Sequence, residues 1–238
     1  MRIRILSDLH LEFRLPWRWP EDRENYDLVV AAGDIENSCP KAVEALAGLG
    51  PTVFVPGNHD HAHVGAKAAP AFADLAAELG QAAFRVLGAT PTMIVGRAFV
   101  GTPFWYPVSS EQEQALHDFA WYDLRSIPDF VPMWKSACAL EETFRPAGGT
   151  IVVTHFLPSY ELVHSQYEGD PRNRFFVNPR GDRILEDCAP AAWLYGHTHS
   201  WTDKNVRSTR CICRPFGYPR ESELLDLDRW HADCTFTL

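Results

Sequence analysis

The chain lacks the marks of several protein classes. No apolar run approaches the ~20 residues of a membrane span, which argues against a membrane-embedded protein. Residues 1–6 alternate polar and apolar and are too short for a signal peptide. There are six cysteines, none in a C-x-x-C pair. Cys211 and Cys213 would share one face of a strand, a spacing that suits a core more often than a ligand pair. Reduced thiols and no leader make a cytoplasmic protein the expectation. Internal repeats and low-complexity tracts are missing. Positive charge is scarce: 22 Lys and Arg face 31 Asp and Glu, a formal net charge of −9. Such a surface gains no long-range attraction for nucleic acid or an anionic membrane, so neither is expected as a strong partner. Any phosphate must be held by a local cluster of positive groups or by metal.

What is present is enough chain, 238 residues, to bury a substantial core, and it reads as one domain over 1–238. Apolar runs predict strands at residues 1–6, 26–32 and 52–55, with helices at 39–49 and 66–79 between and after them. Ser38 is a plausible N-cap, Pro40 fits the first turn, and Gly50 and Gly80 supply stops. Short strands follow at 84–87, 92–95 and 98–101. Residues 102–149 form a helical excursion, with helices predicted at 110–122, where Ser110 and Glu113 have capping-box spacing, and at 133–144. Strand 150–154, a loop-like stretch at 156–180, helix 181–188 and strands at 192–195, 204–206, 210–213, 224–227 and 234–237 complete the reading. The first half alone suggests an α/β layered fold with ligand groups at the strand C-termini.

Five strand ends carry polar groups: Asp8 and His10; Asp34; Asn58 and His59; His155; His197 and His199. Each taken singly has an ordinary reading. A lone histidine after a strand is usually a hydrogen-bonded loop residue, Asn-His-Asp is common turn chemistry, and Asp8 or Asp34 could cap a helix. Together they would converge, because parallel strands place their C-termini along one rim. Carboxylate, imidazole and amide without thiolate suit Mn²⁺, Fe or Zn²⁺, and there are enough donors for two ions. Two ions ~3.5–4 Å apart need a shared ligand. A carboxylate can bridge; an imidazole cannot.

Asp8-Leu9-His10, Gly33-Asp34, Gly57-Asn58-His59-Asp60, His155 and Gly196-His197-Thr198-His199 form, in order, the series D-x-H, G-D, G-N-H-[DE], H, G-H-x-H. That series resembles the signature of the calcineurin-like metallophosphoesterases. The resemblance implies a four-layer α/β/β/α sandwich of two mixed β-sheets flanked by helices, in agreement with the many strands after residue 84. It implies Asp8, His10 and His199 around one ion, Asn58, His155 and His197 around the other, and Asp34 bridging. His59 would face the substrate rather than a metal. The expected cofactors are two divalent ions, Mn²⁺ foremost, with Fe and Zn²⁺ as alternatives.

The expected activity is hydrolysis of a P–O ester, a phosphodiester in preference to a monoester, by hydroxide held between the metals, with His59 protonating the leaving group. A phosphomonoesterase, a protein phosphatase, or a non-catalytic scaffold of the same fold are the alternatives. The substrate expected is a small molecule or nucleotide rather than a protein. Asp60 or another carboxylate would orient His59. No residue is assigned to substrate binding. Arg14, Arg18, Arg172 and Arg174 follow motif blocks, and one or two could grip a phosphate. Trp17, Trp19, Phe104, Trp105, Tyr106, Trp121 and Tyr122 are read mainly as core under the excursion, or else as surfaces that stack on an organic leaving group. His61 and His63 are expected to line their loop or face solvent. His117, His164 and His231 are taken as incidental, and Gly217-Tyr218-Pro219 receives no role.

Overall fold

Two sheets, each parallel at its centre, carry every motif. A computed structural model describes residues 1–13, 26–81, 83–107, 125–222, 230 and 234–238. The first sheet has the order β11-β1-β2-β3-β4, from Thr235–Thr237, Arg2–Leu6, Leu28–Ala31, Thr52–Phe54 and Phe84–Val86. The second has the order β5-β6-β7-β8-β10-β9, from Thr92–Ile94, Arg97–Thr102, Ile151–Thr154, Ala192–Tyr195, Thr209–Cys213 and Thr202–Val206. Neighbours pair in parallel except at β1–β11, β5–β6 and β9–β10. Both sheets are thus mixed, with antiparallel strands only at edges.

The central strands read as near-continuous apolar runs because both faces are covered. Ile3, Ile5, Val30 and Val53 of the first sheet meet Phe99, Ile151, Val153, Leu194 and Ile212 of the second in one inter-sheet core. The opposite face of the first sheet, including Val29, Ala31 and Phe54, packs on α1 (Cys39–Ala47) and α2 (Ala68–Glu78). The opposite face of the second, including Val152, Trp193 and Tyr195, packs on α4 (Arg180–Asp187). Cys211 and Cys213 point into this last core while Ile212 faces the other sheet, the period-2 alternation read from their spacing. None of the six cysteines is paired. No helix among the described residues is long and apolar enough to cross a membrane.

Within the excursion, α3 (Phe130–Glu141) starts three residues earlier than the spacing predicted. Its Phe130, Met133 and Trp134 bury against Trp105, Tyr106 and Phe156. The predicted helix 110–122 and strand 224–227 lie outside the described residues, as do Arg14, Trp17, Arg18, Trp19, His117, Trp121, Tyr122 and His231. Ser38 takes the N-cap position of α1 with extended backbone, but its hydroxyl makes no cap hydrogen bond. The stretch 156–180 is more ordered than its prolines and glycine suggest. It folds as three 3₁₀ turns, Tyr160–Leu162, Ser165–Tyr167 and Pro171–Phe175, each with a side-chain cap from Ser159, His164 or Asp170.

Glu141 of α3 is buried beneath the Phe104–Tyr106 segment. Its Oε1 accepts from Thr102 Oγ1 and Trp105 N, both at 3.1 Å. Burial pushes its pKa up from 4.5 to about 8, more than those hydrogen bonds lower it. The folded value lies above the unfolded one, so this group's stability contribution is complete below about pH 4.5 and is lost as pH rises through 8. Glu141→Gln keeps an amide oxygen as acceptor and removes the titration. The variant should gain up to about 4 kcal/mol over the parent at pH 8, or roughly 10 °C in Tm, with the gap closing towards pH 5. Thermal melts across that range test it; a gap independent of pH would exclude the assignment.

Candidate metal centre

Each predicted donor sits just past the C-terminus of a parallel strand. Asp8 and His10 follow β1, Asp34 follows β2, Asn58 and His59 follow β3, His155 follows β7, and His197 and His199 follow β8. Facing sheets therefore deliver all of them to one rim. Backbone hydrogen bonds tie the loops together: Asp8 N to Gly33 O at 3.0 Å, His10 N to Asp34 O at 3.1 Å, and Gly196 N to His155 O at 3.0 Å.

The local backbone is strained where the donors are. Asp8, His10, Asp34, His197 and His199 all have φ between 45° and 68°, in the left-handed region that non-glycine residues avoid. In D-x-H and in H-x-H this conformation turns both donors the same way while Leu9, fully buried, points into the core. Two motif glycines have a steric reason. Gly33 has φ +86°, and a Cβ there would come within 2.7 Å of Gly57 N and closer still to the His155 ring. A Cβ on Gly57 would stand 2.7 Å from His155 Cε1 and nearer yet to Asp34 Oδ1.

The distances divide the donors into two overlapping groups. His10 Nε2 lies 3.1 Å from His199 Nε2, and His199 Nε2 lies 3.5 Å from Asp8 Oδ1. His155 Nε2 lies 3.1 Å from Asn58 Oδ1, 3.1 Å from His197 Nδ1 and 3.3 Å from Asp34 Oδ2. The same Asp34 Oδ2 is 3.8 Å from His10 Nε2. Candidate ligand atoms within 4.8 Å of one another form the sets Asp8–His10–His199, Asp34–His155–His197 and His10–Asp34–His59. Asp34 belongs to two of them.

Proton positions follow from the outer partners. His10 Nδ1 faces Glu12 Oε1 at 3.1 Å, His199 Nδ1 faces Glu221 Oε2 at 2.7 Å, and His155 Nδ1 faces the Ala32 carbonyl at 2.9 Å. Carboxylates and carbonyls only accept, so each Nδ1 carries the hydrogen and each neutral ring presents a lone pair on Nε2. The inward atoms are then lone pairs facing lone pairs and carboxylate oxygens at 3.1 to 3.8 Å. Acceptors repel at that range unless something positive lies among them. Divalent cations fit this oxygen and nitrogen donor set.

The charge balance agrees. Burial pulls His155 down, but the Asp34 and Asp8 carboxylates more than offset it and raise its pKa to about 9. Burial is likewise outweighed at His199, where Asp8 and Glu221 raise it to about 10. Burial holds His10 below its ordinary value, and burial with the His155 charge holds His197 well below. Without metal, each imidazole pair therefore keeps one proton in place of a cation. The sign is clear: raised groups are protonated at pH 7 and must lose that proton to ligate, so metal affinity weakens as pH falls. Binding of Mn²⁺ near pH 7.5 should release about two protons per chain. Calorimetric titration in buffers of different ionisation enthalpy reads that number; heats independent of buffer would contradict it.

Several neighbours escaped the motif reading. Glu12, half-buried on the 3₁₀ turn Leu11–Phe13, accepts from His10 and also from His59 Nδ1, at 2.8 Å. Burial opposes its ionisation, yet the two imidazoles hold its pKa at about 2. Asp60 does not orient His59. Its carboxylate instead accepts from the backbone N–H of Asp34 (2.6 Å), Gly57 (2.8 Å), Ile35 (3.1 Å) and Glu36 (3.4 Å), pinning the G-D loop to the G-N-H loop. Tyr218 stacks on His10 at 4.3 Å between centroids, and its hydroxyl lies 3.4 Å from His59 Nε2. Glu221, on the short helix α5 (Pro219–Ser222), accepts from His199 and from Tyr218 N. His61 is buried against Trp105, with Nδ1 donating to Gly65 O at 2.8 Å, whereas His63 is exposed. His164 caps a 3₁₀ turn. Glu12 stands two residues past D-x-H and Glu221 four past Gly217, and that adjacency was the only sequence signal for either.

A cleft of about 470 Å³ opens from this rim. Asp34, Asn58, His59, His197 and His199 line one end, and residues of the 156–180 stretch line the other. Of the four candidate arginines, Arg172 lines it, with Nε donating to both oxygens of Asp170 at 2.8 Å. Arg174 lies over the Phe175 ring.

Residues 1–98 match the calcineurin-like phosphoesterase superfamily domain. The fold is similar to the phosphopantetheinyl hydrolase PptH of Mycobacterium tuberculosis, with TM-score 0.68 and 16% identity over 96% of this chain and 93% of that one. A second solved structure aligns with TM-score 0.54 and 15% identity over 89% of each chain. A Staphylococcus aureus protein assigned as a 5′-nucleotidase aligns over 89% of this chain and 48% of its own, at 14% identity and TM-score 0.45, too distant to carry an argument. At these identities the likeness shows the fold alone. No curated protein matches the chain significantly.

Proposed function

We propose that the chain is a dinuclear metal-dependent phosphoesterase, and that it prefers diesters. The observation that carries the reading is the convergence of lone pairs into two donor groups that share Asp34 Oδ2. In this reading Asp8, His10 and His199 would hold one ion, Asn58, His155 and His197 would hold the other, and Asp34 would serve both. Mn²⁺ is the first candidate for this mixed imidazole and oxygen, thiolate-free set, with Fe or Zn²⁺ as alternatives. When bound, two such ions neutralise phosphate oxygens and lower the pKa of a water between them.

The chain's own residues supply the rest. Asp34 Oδ1 accepts from His59 N at 2.9 Å, fixing the loop that carries His59 relative to the shared carboxylate. Glu12 keeps the His59 hydrogen on Nδ1, so Nε2 faces the cleft and can hold a proton for the departing oxygen. Tyr218 shields His10 and stands beside His59 Nε2. The diester preference rests on the cleft, whose lining takes in Val163, Tyr167 and Asn173 beside the metal donors and leaves room for a second substituent on phosphorus. The similar fold of a phosphopantetheinyl hydrolase is in keeping with a hydrolase.

Apo protein reloaded with Mn²⁺ should hydrolyse bis(p-nitrophenyl) phosphate faster than p-nitrophenyl phosphate, lose turnover to a chelator and regain it with metal. Faster monoester turnover would leave a phosphomonoesterase. Two bound ions without turnover of either ester would leave the scaffold reading, against which the complete donor set and His59 stand.

A further inference from the structure

The candidate metal centre fills one end of the cleft; the other end has its own chemistry. Tyr106, Val163, Tyr167, Phe176 and Asn173 line it. Tyr167 is a large ring with 44% of its surface exposed at the lip. Phe176 packs on the His197 ring at 4.7 Å between centroids, so the aromatic wall runs directly into the donor cluster. Arg172 and Asp170 also line this end, but Arg172 Nε contacts both carboxylate oxygens, so the pair presents no net charge. Among the described residues lining the cleft, Arg172 is the only Lys or Arg.

The wall is also preformed. Asn173 Nδ2 donates to Tyr167 O at 2.7 Å, Asp170 N to Tyr167 O at 3.0 Å, and Tyr167 N to His164 O at 2.9 Å. Leu157 N donates to Phe176 O at 3.0 Å, and Asn178 Nδ2 to Trp105 O at 2.8 Å, which locks the turns onto the second sheet.

We propose that this half of the cleft binds the organic arm of the ester, and that the arm is a single uncharged group with a planar or apolar body. The inference rests on the phosphoesterase reading of the metal end and adds the class of substrate. Three observations select it. The whole cleft measures about 470 Å³, metal donors included, so the part beyond them suits one small-molecule arm. Aromatic faces and neutral amides reward a planar or apolar body with polar edges. A second phosphate on the arm would lie beside Asp170 on a chain of net charge −9, where the only Lys or Arg among the described lining residues, Arg172, is already paired with Asp170.

The test uses Mn²⁺-loaded full-length protein and three esters with one leaving group, so that the departing atoms are constant. They are p-nitrophenyl phosphate, with no arm; the p-nitrophenyl ester of thymidine 5′-phosphate, with a neutral arm; and that ester carrying an added 3′-phosphate. The neutral-arm ester should have the highest kcat/KM, and the added phosphate should lower it about tenfold or more. Tyr167→Ala, an exposed position that does not threaten folding, should cut the advantage of the neutral arm over the armless ester about tenfold, mainly through KM. Tyr167→Phe should restore it. Equal or better turnover of the 3′-phosphorylated ester, or a Tyr167→Ala loss of the same size on the armless ester, overturns the proposal while leaving the phosphoesterase reading intact. Failure of all three esters with two ions bound overturns the phosphoesterase reading itself, and this inference with it.

Discussion

Asp34→Ala should bind neither ion tightly and should lose on the order of 10⁴-fold in turnover, the equivalent of the several kcal/mol that metal charge supplies to a phosphoryl transition state. Asp34 Oδ2 lies within 4 Å of both His10 Nε2 and His155 Nε2, so each donor group loses its shared anion at once. Removing it also frees His59 N, which Oδ1 otherwise accepts at 2.9 Å. Asp34→Asn separates the two effects. Its amide oxygen can still accept from His59 N, but a neutral carboxamide is a poor bridge between two cations. That variant should keep the loop and retain about one ion. Elemental analysis with a thermal melt decides the matter: two ions at parental affinity in either properly folded variant would remove Asp34 from the bridging position.

The fold was legible where burial is two-sided. Runs such as Leu28–Ala31, Ile151–Thr154 and Ala192–Tyr195 are apolar throughout because a sheet face and a helix face each need covering. The convergence of the candidate donors was legible for a related reason. Each stands immediately after such a run, and parallel pairing turns adjacency in sequence into adjacency on the rim. What the runs do not encode is division into two sheets; the first half alone reads as one parallel sheet. The resemblance and the later strands supplied the second.

The supporting groups were harder to see, because their partners carry no residue-type signature. Asp60 bonds four backbone N–H groups, and a backbone donor looks the same under any side chain. Glu12 and Glu221 are single carboxylates on short irregular elements, without periodicity to mark their direction. His61 looked like a loop residue because the Trp105 that buries it lies 44 positions away. The aromatic segment 104–106 proved to be core, with only Tyr106 also reaching the cleft.

Glu12→Gln should slow turnover by about 10²-fold with both ions retained, and the loss should depend on the leaving group. Glu12 Oε1 accepts from His10 Nδ1 and His59 Nδ1 at once, so one carboxylate sets the tautomer of a proposed ligand and of a proposed proton donor. The two roles separate experimentally. His59→Ala should cost roughly 10²–10⁴-fold while keeping metal. If Glu12 acts through His59, adding Glu12→Gln to His59→Ala should cost almost nothing more, whereas independent effects would multiply. An alkyl ester, whose alkoxide needs a proton to depart, should lose far more than a p-nitrophenyl ester, whose phenolate departs without one. Loss of an ion in Glu12→Gln would instead place its action on His10. Turnover of the alkyl and aryl esters falling equally, with metal intact, would remove the proton-holding role from the Glu12–His59 pair and leave His59 as a positioning residue in the cleft wall.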